Sequence, residues 1–520
     1  MALVLSCCRP INCRCVDFYE ALVRKSGSEV TTRNDPVMTA DVSVIISSIE
    51  QMRARVHSAL DAQDLDGAFG TINSTMARAV QTASVREVIC FGDAEVDELC
   101  LLIGRRWLET HRPDRKGVSP SRLSDLYIAS TLYESGGHTP LIGDFVRSTP
   151  ARRAFLALTN LANQPGGLSE NILRRVALKP SQVEVCEKIN LGEKFAWLID
   201  VIDRVRPDRI FLFNHHDDSV AVAACQPETA RETIFVHHSD RLPSVGAFIS
   251  SAVHVDVTPF CFHCCRKQAG LFNNRFVPLV ASDEGTTAGA AEGLSDRSLR
   301  GSLDSILALL RLTKKPLRTA AAGSSHKFLQ DYDPNYFDAM GAVLKLTKGS
   351  HVHIGDLPDD SLERFRDVLT KCNVDPERLV HVPHVPSVWR AMSDYDIDLY
   401  IGSFHRRGAR TSVEVMGSGT PAVWHVTRPA ALLHDTHMSY EGAATWRTLN
   451  DLLAIIKRID RRWLTQQSRL ARLHYERNHH PMLMTACLSG DAILDHPVRV
   501  AGENSSEPRL VSLNDLLSLA

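Results

Sequence analysis

The sequence predicts an α/β protein with two Rossmann-like, doubly wound domains that face a cleft, preceded by an N-terminal helical extension. Short apolar segments with strand character alternate with helical segments in two stretches of the chain. Such alternation is typical of parallel sheets covered by helices on both faces. Between the two stretches, residues 281–302 are rich in Ser, Gly, Ala, Asp and Glu without a large apolar period, which indicates a linker. Two such domains place a ligand site in the cleft between the carboxyl ends of their sheets.

Ahead of the first strand, apolar residues recur at spacings of three and four, as in Ile45, Ile49, Met52 and Val56. This period predicts helices. The segment up to about Asn34 has neither a helical nor a strand period and is expected to be a mobile tail. The resulting boundaries are a disordered tail at 1–40, the helical extension at 41–117, a first Rossmann-like domain at 118–280, a linker at 281–310, a second Rossmann-like domain at 311–480 and a C-terminal tail at 481–520.

Strands are predicted where short apolar or β-branched runs end in turn residues. In the first domain these runs are Leu126–Tyr133, Arg209–Asn214 and Thr233–Val236. In the second domain they are Arg318–Ala322, His351–Ile354, Leu379–Val382, Asp398–Ile401 and Ala422–Trp424. Helices separate them, and one long charged helix at about Leu449–Arg477 is expected to close the second domain.

The composition disfavours two classes of protein. The chain has 59 Lys and Arg residues against 61 Asp and Glu residues, a formal charge of −2. Because a protein that neutralises many phosphates is normally basic, we expect no nucleic-acid partner. No run approaches the ~18 consecutive apolar residues that cross a bilayer, so no transmembrane segment is predicted. The first ten residues lack the basic and apolar regions of a secretory signal, and a cytoplasmic location is expected.

The 13 cysteines are scattered and odd in number, which favours free thiols in a reducing compartment. Two groups stand out, but neither has the paired Cys-x-x-Cys knuckles of a structural zinc site. The run 215–218 lacks a recognised ligand spacing too, and the acidic alternation at 394–398 runs into a buried strand, where it is expected to be a solvated strand edge. We therefore expect no bound metal. The two cysteine groups are Cys7, Cys8, Cys13 and Cys15, and Cys261, Cys264 and Cys265 around His263.

The most informative segment runs from Asp396 to Pro421 and reads as a strand, a glycine-bearing loop, a helix start and Gly-Thr-Pro before the next strand. Thr411 or Ser412 can cap the helix, which leaves backbone N–H groups aimed into the cleft as a seat for a diphosphate. The carboxylate of Glu414, three residues after Thr411, can accept two hydrogen bonds from a ribose diol. The same spacing also forms a capping box that needs no ligand. By itself the motif leaves both interpretations open.

This segment resembles the C-terminal donor domain of GT-B glycosyltransferases, in particular the O-GlcNAc-transferase-like enzymes and the bacterial adhesin N-glycosyltransferases. That family carries Gly-His-Thr-Thr-x-x-Asp-x-x-x-x-Gly-x-Pro, where this chain reads Gly-Ala-Arg-Thr-Ser-Val-Glu-Val-Met-Gly-Ser-Gly-Thr-Pro from Gly408. The resemblance implies that Gly408, Arg410, Thr411 and Ser412 bind the donor diphosphate and that Glu414 binds its ribose. Retaining GT-B enzymes often carry a Glu eight residues before the acid, where this chain has an arginine, and this difference favours inversion.

Two further segments match the donor domain. The first follows a strand at Gly323 and contains Ser324 and Lys327. In the family, a lysine in this loop neutralises the leaving nucleoside diphosphate, and Lys327 is the candidate for that role. The register is not identical, because the family's lysine position, counted back from the Asp-Pro pair, falls on Asp331. The other interpretation of Lys327 is an ordinary exposed lysine. The second segment, 379–392, resembles the one whose backbone holds the nucleobase, and it implies contacts from Val382 and His384.

On the acceptor side, residues 135–140, Ser-Gly-Gly-His-Thr-Pro, resemble the N-terminal glycine loop of GT-B enzymes, in which inverting members often have a histidine. Gly136 and Gly137 allow the backbone to approach a ligand closely. His138 is the candidate base, because imidazole accepts protons near neutral pH. The other interpretation is a tight turn that His138 caps. His238 and Asp240 end another strand on the same side and are rival bases or sugar contacts.

The resemblance covers about residues 125–470. It implies an N-terminal acceptor domain, a C-terminal nucleotide-sugar domain, and inverting transfer of a sugar from a UDP-linked donor that serves as co-substrate, with no cofactor. No 34-residue tetratricopeptide period occurs at 42–108, which leaves the acceptor open among a glycan, a lipid-linked glycan and a protein. The oligomeric state is left open as well. The alternatives are a nucleotide-sugar 2-epimerase, which shares this architecture, and a non-catalytic module that binds nucleotide-sugars.

Overall fold

The computed structural model describes residues 46–86, 88–115, 123–164, 167–239, 241–282, 316–329, 332–404, 407–426, 438–494 and 510–519. This part of the chain forms two parallel sheets, one of seven strands and one of six, with helices packed on them. The predicted α/β class with two doubly wound domains is confirmed. The predicted N-terminal tail, with its four cysteines, and nearly all of the predicted linker lie outside the described residues.

The first sheet contains the strands β1 Ser124–Ala129, β2 Arg153–Leu158, β3 Val183–Val185, β4 Arg209–Phe213, β5 Glu232–His237, β6 Ala252–Asp256 and β7 Arg275–Phe276. Their order is β3-β2-β1-β4-β5-β6-β7. Leu126 of β1 lies opposite Phe155 of β2 and Ile210 of β4. The central strands β1 and β4 are buried along their whole length, which explains why each is a nearly continuous apolar run in the sequence.

The helices of this half are α1 Ile49–Asp61, α2 Leu65–Arg86, α3 Ala94–His111, α4 His138–Arg147, α5 Glu170–Val176, α6 Leu191–Val205, α7 Ser219–Ala223 and α8 Pro259–Lys267. The three helices ahead of β1 share a buried core with the sheet. Phe69 of α2 and Ile103 of α3 belong to the same apolar cluster as Leu126 and Ile210. These helices therefore bury their apolar faces on the first sheet.

The second sheet contains β8 Thr319–Ala322, β9 His351–Ile354, β10 Leu379–Val382, β11 Leu399–Ile401, β12 Ala422–His425 and β13 Ala444–Trp446, in the order β10-β9-β8-β11-β12-β13. Each of the five runs predicted in this half forms a strand. β13 was not predicted, because it has only three residues and two of them are not buried. The strand is recognisable only from its parallel pairing with β12.

The helices of the second half are α9 Tyr336–Thr347, α10 Asp359–Lys371, α11 Val388–Asp394, α12 Ala409–Gly417, α13 Leu449–Arg458, α14 Arg461–Asn478, α15 Pro481–Ser489 and α16 Leu513–Ser518. The prediction of one long helix at 449–477 is wrong. The chain is extended at Ile459, and Asp460 starts a new helix by accepting a hydrogen bond from Trp463 N at 2.7 Å. Among the helices that the structure describes, none is long and apolar enough to cross a membrane.

The C-terminal helices α14 and α15 cross from the second half back to the first. The hydroxyl of Tyr475 donates to the carbonyl of Ala281 at 2.7 Å, and His479 Nδ1 lies 2.7 Å from the carbonyl of Leu279. Further along, Arg209 of β4 donates to the carbonyl of Leu488 at 3.3 Å. These contacts hold the two sheets in one unit.

In both sheets the strand order reverses beside the first strand, between β1 and β4 and between β8 and β11. A doubly wound sheet opens a crevice at this point, outside the carboxyl ends of its strands. Gly323, after β8, and Gly355, after β9, lie in contact there: a Cβ on Gly355 would sit 2.0 Å from the carbonyl oxygen of Gly323. The missing side chains let the two backbones approach each other at the edge of the crevice.

Gly355→Ala is expected to lower the free energy of unfolding by about 2 kcal/mol more than Gly442→Ala. Both substitutions place an alanine at a positive φ, but only the alanine at 355 also clashes with the backbone of Gly323. Gly442 is the matched control: its φ is +81° against +134° at Gly355, but nothing lies within 4 Å of its Cβ position. Urea denaturation of both variants gives the two values. Equal losses would contradict the close approach of Gly323 and Gly355.

Candidate active site

A cavity of about 330 Å³ lies between the carboxyl ends of the two sheets. Its wall comes from the loops after β1, β5 and β6 on one side and from those after β8, β9, β10 and β11 on the other. The residues predicted for the site that line it are Gly136, Gly137, His138, His238, Ser324, Lys327, His384, Gly408, Arg410, Thr411 and Glu414. Val382 and Ser412 do not line it, and Asp240 lies outside the described residues.

On the donor side, the ammonium of Lys327 and the hydroxyl of Thr411 converge on the backbone of Gly408. A Cβ added to Gly408 would lie 3.0 Å from Lys327 Nζ and 3.1 Å from Thr411 Oγ1. Because Gly408 has no side chain, the space beside the Lys327 ammonium, the Thr411 hydroxyl and the start of α12 stays open. Although Lys327 and Thr411 are far apart in the sequence, the loop after β8 and the start of α12 bring them together.

The start of α12 differs from the prediction in one respect. The helix begins at Ala409, and Gly408 is its N-cap without a side-chain hydrogen bond. Thr411 and Ser412 are therefore not the cap, and the capping box between Thr411 and Glu414 does not form. Since glycine contributes no capping side chain, the first N–H groups of α12 are left for other partners, which suits an anion. Ser412 is buried, and its hydroxyl donates to the carbonyl of Gly408 at 2.9 Å.

Glu414 connects α12 to the neighbouring helix α11. Its Oε2 accepts a hydrogen bond from Val388 N at 2.8 Å, at the N-terminus of α11, and its Oε1 lies 3.2 Å from Arg410 Nε. The carboxylate is 15% exposed at the cavity wall. In this structure the carboxylate of Glu414 therefore links α11 to α12. Binding of a ribose by Glu414 stays a prediction.

Arg410 crosses the cleft. Its Nη1 donates to Asp144 Oδ2 of α4 and to the carbonyl of Val280 at 3.2 Å, while its Nε faces Glu414. The guanidinium is 9% exposed and Asp144 is 3% exposed, so this ion pair is buried. Although the resemblance places Arg410 on the diphosphate, the structure shows its guanidinium joining the two halves of the protein.

On the opposite wall, His138 is the first residue of α4. Its Nε2 lies 3.0 Å from the carbonyl of Phe213. Because a carbonyl only accepts, Nε2 carries the proton and Nδ1 holds the lone pair. Nδ1 is buried and has no hydrogen-bond partner among the described residues. Burial lowers the pKa of His138 from its ordinary value of 6.5, so the ring is neutral at pH 7 and available as a base.

Other histidines surround His138. The ring centroid of His238 lies 4.6 Å from that of His138, and His238 Nε2 lies 3.1 Å from the carbonyl of Asn214. His215 stacks on Tyr133, whose hydroxyl lies 3.1 Å from His215 Nε2. Burial, followed by the neighbouring His138 and His216, lowers the pKa of His215 to about 3. Burial also lowers the pKa of His238 well below 6.5, so His238, like His138 and His215, is neutral at pH 7.

The segment predicted to hold a nucleobase lies at the far end of the cavity. The carbonyl of Val382 accepts a hydrogen bond from Gly355 N at 2.9 Å, so it is occupied by the second sheet. The next residues, Pro383, His384, Val385 and Pro386, form the wall. Of the segment predicted to hold a nucleobase, the backbone after Val382 reaches the cavity and Val382 itself does not.

Three of the wall residues that were not predicted have polar or charged side chains and lie outside the predicted segments: Arg175, Asp356 and Thr258. Arg175 of α5 holds the glycine loop by donating to the carbonyls of Glu134 and, at 3.0 Å, of Gly136. Asp356 follows the glycine at the end of β9, and Thr258 follows β6. Asp356 could have been predicted, because a glycine directly after a strand, here Gly355 after β9, marks the loop at the carboxyl end of the sheet. No local signal pointed to Arg175, whose role depends on a contact with a loop 39 residues away.

Comparison with known proteins supports the fold. No family model and no curated protein sequence matches this chain. Among solved structures, HepE of Anabaena, solved with UDP, is similar at 13% identity with a TM-score of 0.50, over 71% of this chain and 99% of HepE. Its similarity confirms the GT-B fold predicted from the sequence. Mutant O-GlcNAc transferase of Thermobaculum terrenum matches at 13% identity and a TM-score of 0.46, over 86% of this chain and 83% of that protein.

Proposed function

We propose that this protein is a glycosyltransferase that moves a sugar from a nucleotide-sugar donor, UDP-linked, to a hydroxyl or amide acceptor with inversion. The carrying observation is the convergence of Lys327 Nζ and Thr411 Oγ1 on Gly408, at the start of α12 and across the cavity from the neutral base His138. An ammonium, a hydroxyl and a helix N-terminus are the groups that bind a diphosphate. A neutral imidazole with an unpartnered buried nitrogen is suited to accept a proton.

In the proposed reaction the acceptor oxygen or nitrogen attacks the anomeric carbon from the side opposite the diphosphate. His138 Nδ1 takes the acceptor's proton as the new glycosidic bond forms. The bond from the anomeric carbon to the diphosphate oxygen breaks, and the nucleoside diphosphate leaves with the electron pair. Lys327 and the N-terminus of α12 stabilise the charge that develops on the leaving group. The donor's sugar thus ends on the acceptor with inverted configuration, and no cofactor is consumed.

UDP is the first nucleotide to test, because the structurally similar HepE was solved with UDP. Isothermal titration of the full chain with UDP, GDP and ADP, without added metal, tests the donor site. We expect UDP to bind and the other two to bind more weakly. Product analysis of UDP-sugars incubated with glycan, lipid-linked glycan and protein acceptors then distinguishes the activities: an epimerised donor without transfer indicates a 2-epimerase, and binding without turnover indicates a non-catalytic module.

Lys327→Ala is expected to weaken UDP binding about 10–100-fold, because a charge-assisted contact to the diphosphate contributes about 1.5–3 kcal/mol. Lys345→Ala is the matched control: Lys345 is an exposed lysine of α9 outside the cavity wall. Titration of both variants with UDP measures the effect. If the two variants bind UDP equally well, Lys327 is an ordinary surface lysine and the assigned diphosphate seat is wrong.

A further inference from the structure

Four side chains that are distant in the sequence converge beneath the acceptor wall of the cavity. They are His237 at the end of β5, His254 and Asp256 of β6, and Cys265 of α8. One ligand atom from each lies within 4.8 Å of the others, and all four residues are buried. In the sequence, Cys265 groups with Cys261 and Cys264 around His263, and no metal was expected there. The fold instead brings Cys265 to two histidines and a carboxylate on neighbouring strands.

The separations suit ligands of one small ion. His237 Nδ1 lies 2.9 Å from Asp256 Oδ1, His254 Nε2 lies 3.2 Å from the same oxygen, and Cys265 Sγ lies 3.4 Å from His237 Nδ1. In tetrahedral zinc, with Zn–N near 2.0 Å and Zn–S near 2.3 Å, two ligand atoms lie about 3.5 Å apart. These three separations are close to that value, and the other pairs of ligand atoms in the cluster lie within 4.8 Å of each other.

The hydrogen bonds around His254 require positive charge in the cluster. His254 Nδ1 lies 2.9 Å from the carbonyl of Ala247, so it carries a proton. In the neutral ring the lone pair of Nε2 then faces the carboxylate oxygen of Asp256, which also only accepts. His254 Nε2 and Asp256 Oδ1 are buried 3.2 Å apart, and two acceptors at this distance need a cation between them. This cation is either a second proton on His254 or a metal ion. The proton explains this one contact, whereas a metal ion explains the convergence of all four groups.

The contacts around His254 and Asp256 match the outer shell of a metal site, whereas His237 Nε2 is buried without a hydrogen-bond partner among the described residues. The proton on His254 Nδ1 is directed to a backbone carbonyl, as is usual for a metal-bound histidine. The second oxygen of Asp256 accepts from Asn274 Nδ2 at 2.6 Å, and Asn274 is held in turn by Arg266 of α8 at 2.9 Å. A divalent ion with one thiolate and one carboxylate is also neutral overall, which suits a buried position.

We propose that His237, His254, Asp256 and Cys265 bind a structural zinc ion. Nitrogen, oxygen and sulfur ligands with no open position favour Zn²⁺ in a non-catalytic role. His238 directly follows one ligand, and Thr258 lies two residues after another; both line the cavity. The ion ties β5, β6 and α8 together below the acceptor wall and so positions these two residues. The site is independent of the proposed transfer reaction.

The test is metal analysis of the full chain, produced with zinc in the medium and purified without chelator. Inductively coupled plasma mass spectrometry should find one zinc ion per chain in the wild type. Cys265→Ser and His254→Asn should lower the zinc content at least about fivefold, because each removes a ligand. Cys225→Ser is the matched control, since Cys225 is equally buried in the same half but outside the cluster. It should keep the zinc.

If the ligand substitutions prevent folding, cobalt binding to the wild-type protein tests the metal site without any variant. Wild-type protein freed of zinc and loaded with Co²⁺ should show the visible bands of tetrahedral cobalt and a thiolate-to-cobalt charge-transfer band. A wild type with neither zinc nor these bands overturns the proposal and leaves a protonated His254 paired with Asp256. Zinc retained at the wild-type level in both ligand variants would also overturn it, because the metal would then lie elsewhere.

Discussion

Replacing His138 with glutamine should lower the rate of sugar transfer about 10²–10⁴-fold, the usual contribution of a positioned general base. Glutamine keeps a donor toward the carbonyl of Phe213, which now accepts from His138 Nε2, but it has no basic nitrogen. Because the residue is placed opposite the diphosphate seat, UDP affinity should change little. Turnover of the UDP-sugar and acceptor pair found active in the wild type gives the rate, and titration with UDP gives the affinity.

The pH profile provides a second readout for His138. The base acts in its neutral form, and burial lowers its pKa below 6.5, so protonation removes activity only at more acidic pH. We expect kcat/KM to be level above neutral pH and to fall on the acid side with a midpoint below pH 6.5, and this acid limb should disappear in the glutamine variant. His238→Gln is the comparison for the rival base. A wild-type rate in His138→Gln with a large loss in His238→Gln would assign the base to His238.

The second large effect is expected on stability. Arg410→Met should lower the free energy of unfolding by about 3 kcal/mol, because it leaves the buried carboxylate of Asp144 without its cross-cleft partner. The loss also removes the contacts of Arg410 with Val280 and Glu414 that join the two halves. Chemical denaturation, followed by the fluorescence of the protein's tryptophans, measures it.

Arg147 provides the matched control for this prediction. It pairs with the other oxygen of Asp144 at 2.8 Å, but its side chain is 36% exposed, and exposed pairs contribute about 0–1 kcal/mol. Arg147→Met should therefore be nearly neutral. If Arg410→Met is equally mild, the cross-cleft pair does not stabilise the arrangement of the two halves, and Arg410 is left with its predicted role toward the donor. Adding Asp144→Leu to Arg410→Met should recover part of the loss, because the buried carboxylate that lost its pairing with Arg410 is then removed as well.

Much of the fold could be predicted because its strands are buried on both faces. A strand such as β4 is then apolar along nearly its whole length, and the glycine or polar turn that follows it marks the carboxyl end. Local signals were weaker where the elements are short or charged. β13 has only three residues, too few for a clear strand pattern. Asp460, the N-cap of α14, lies within a long charged stretch, so one helix was predicted where the structure has two.

The candidate site was predictable to the level of its loops. Lys327, His138 and Thr411 each follow a strand or begin a helix at the expected edge, and all three line the cavity. Their geometry was not predictable. The residue at which α12 begins depends on how the preceding loop packs. This start decides whether the Thr411 side chain caps the helix or lies in its first turn, near Lys327.

Local sequence was enough to predict eight of the thirteen strands in the described residues and the polar loops that follow them, because burial and turn chemistry act over a few residues; β2, β3, β6, β7 and β13 were not predicted. Only the tertiary structure decided which distant side chains meet. Arg410 reaches Asp144 across 266 positions, and Cys265 meets His237 only because β5, β6 and α8 pack together. Such contacts depend on strand order and on how complete domains pack, and no short stretch of sequence contains that information.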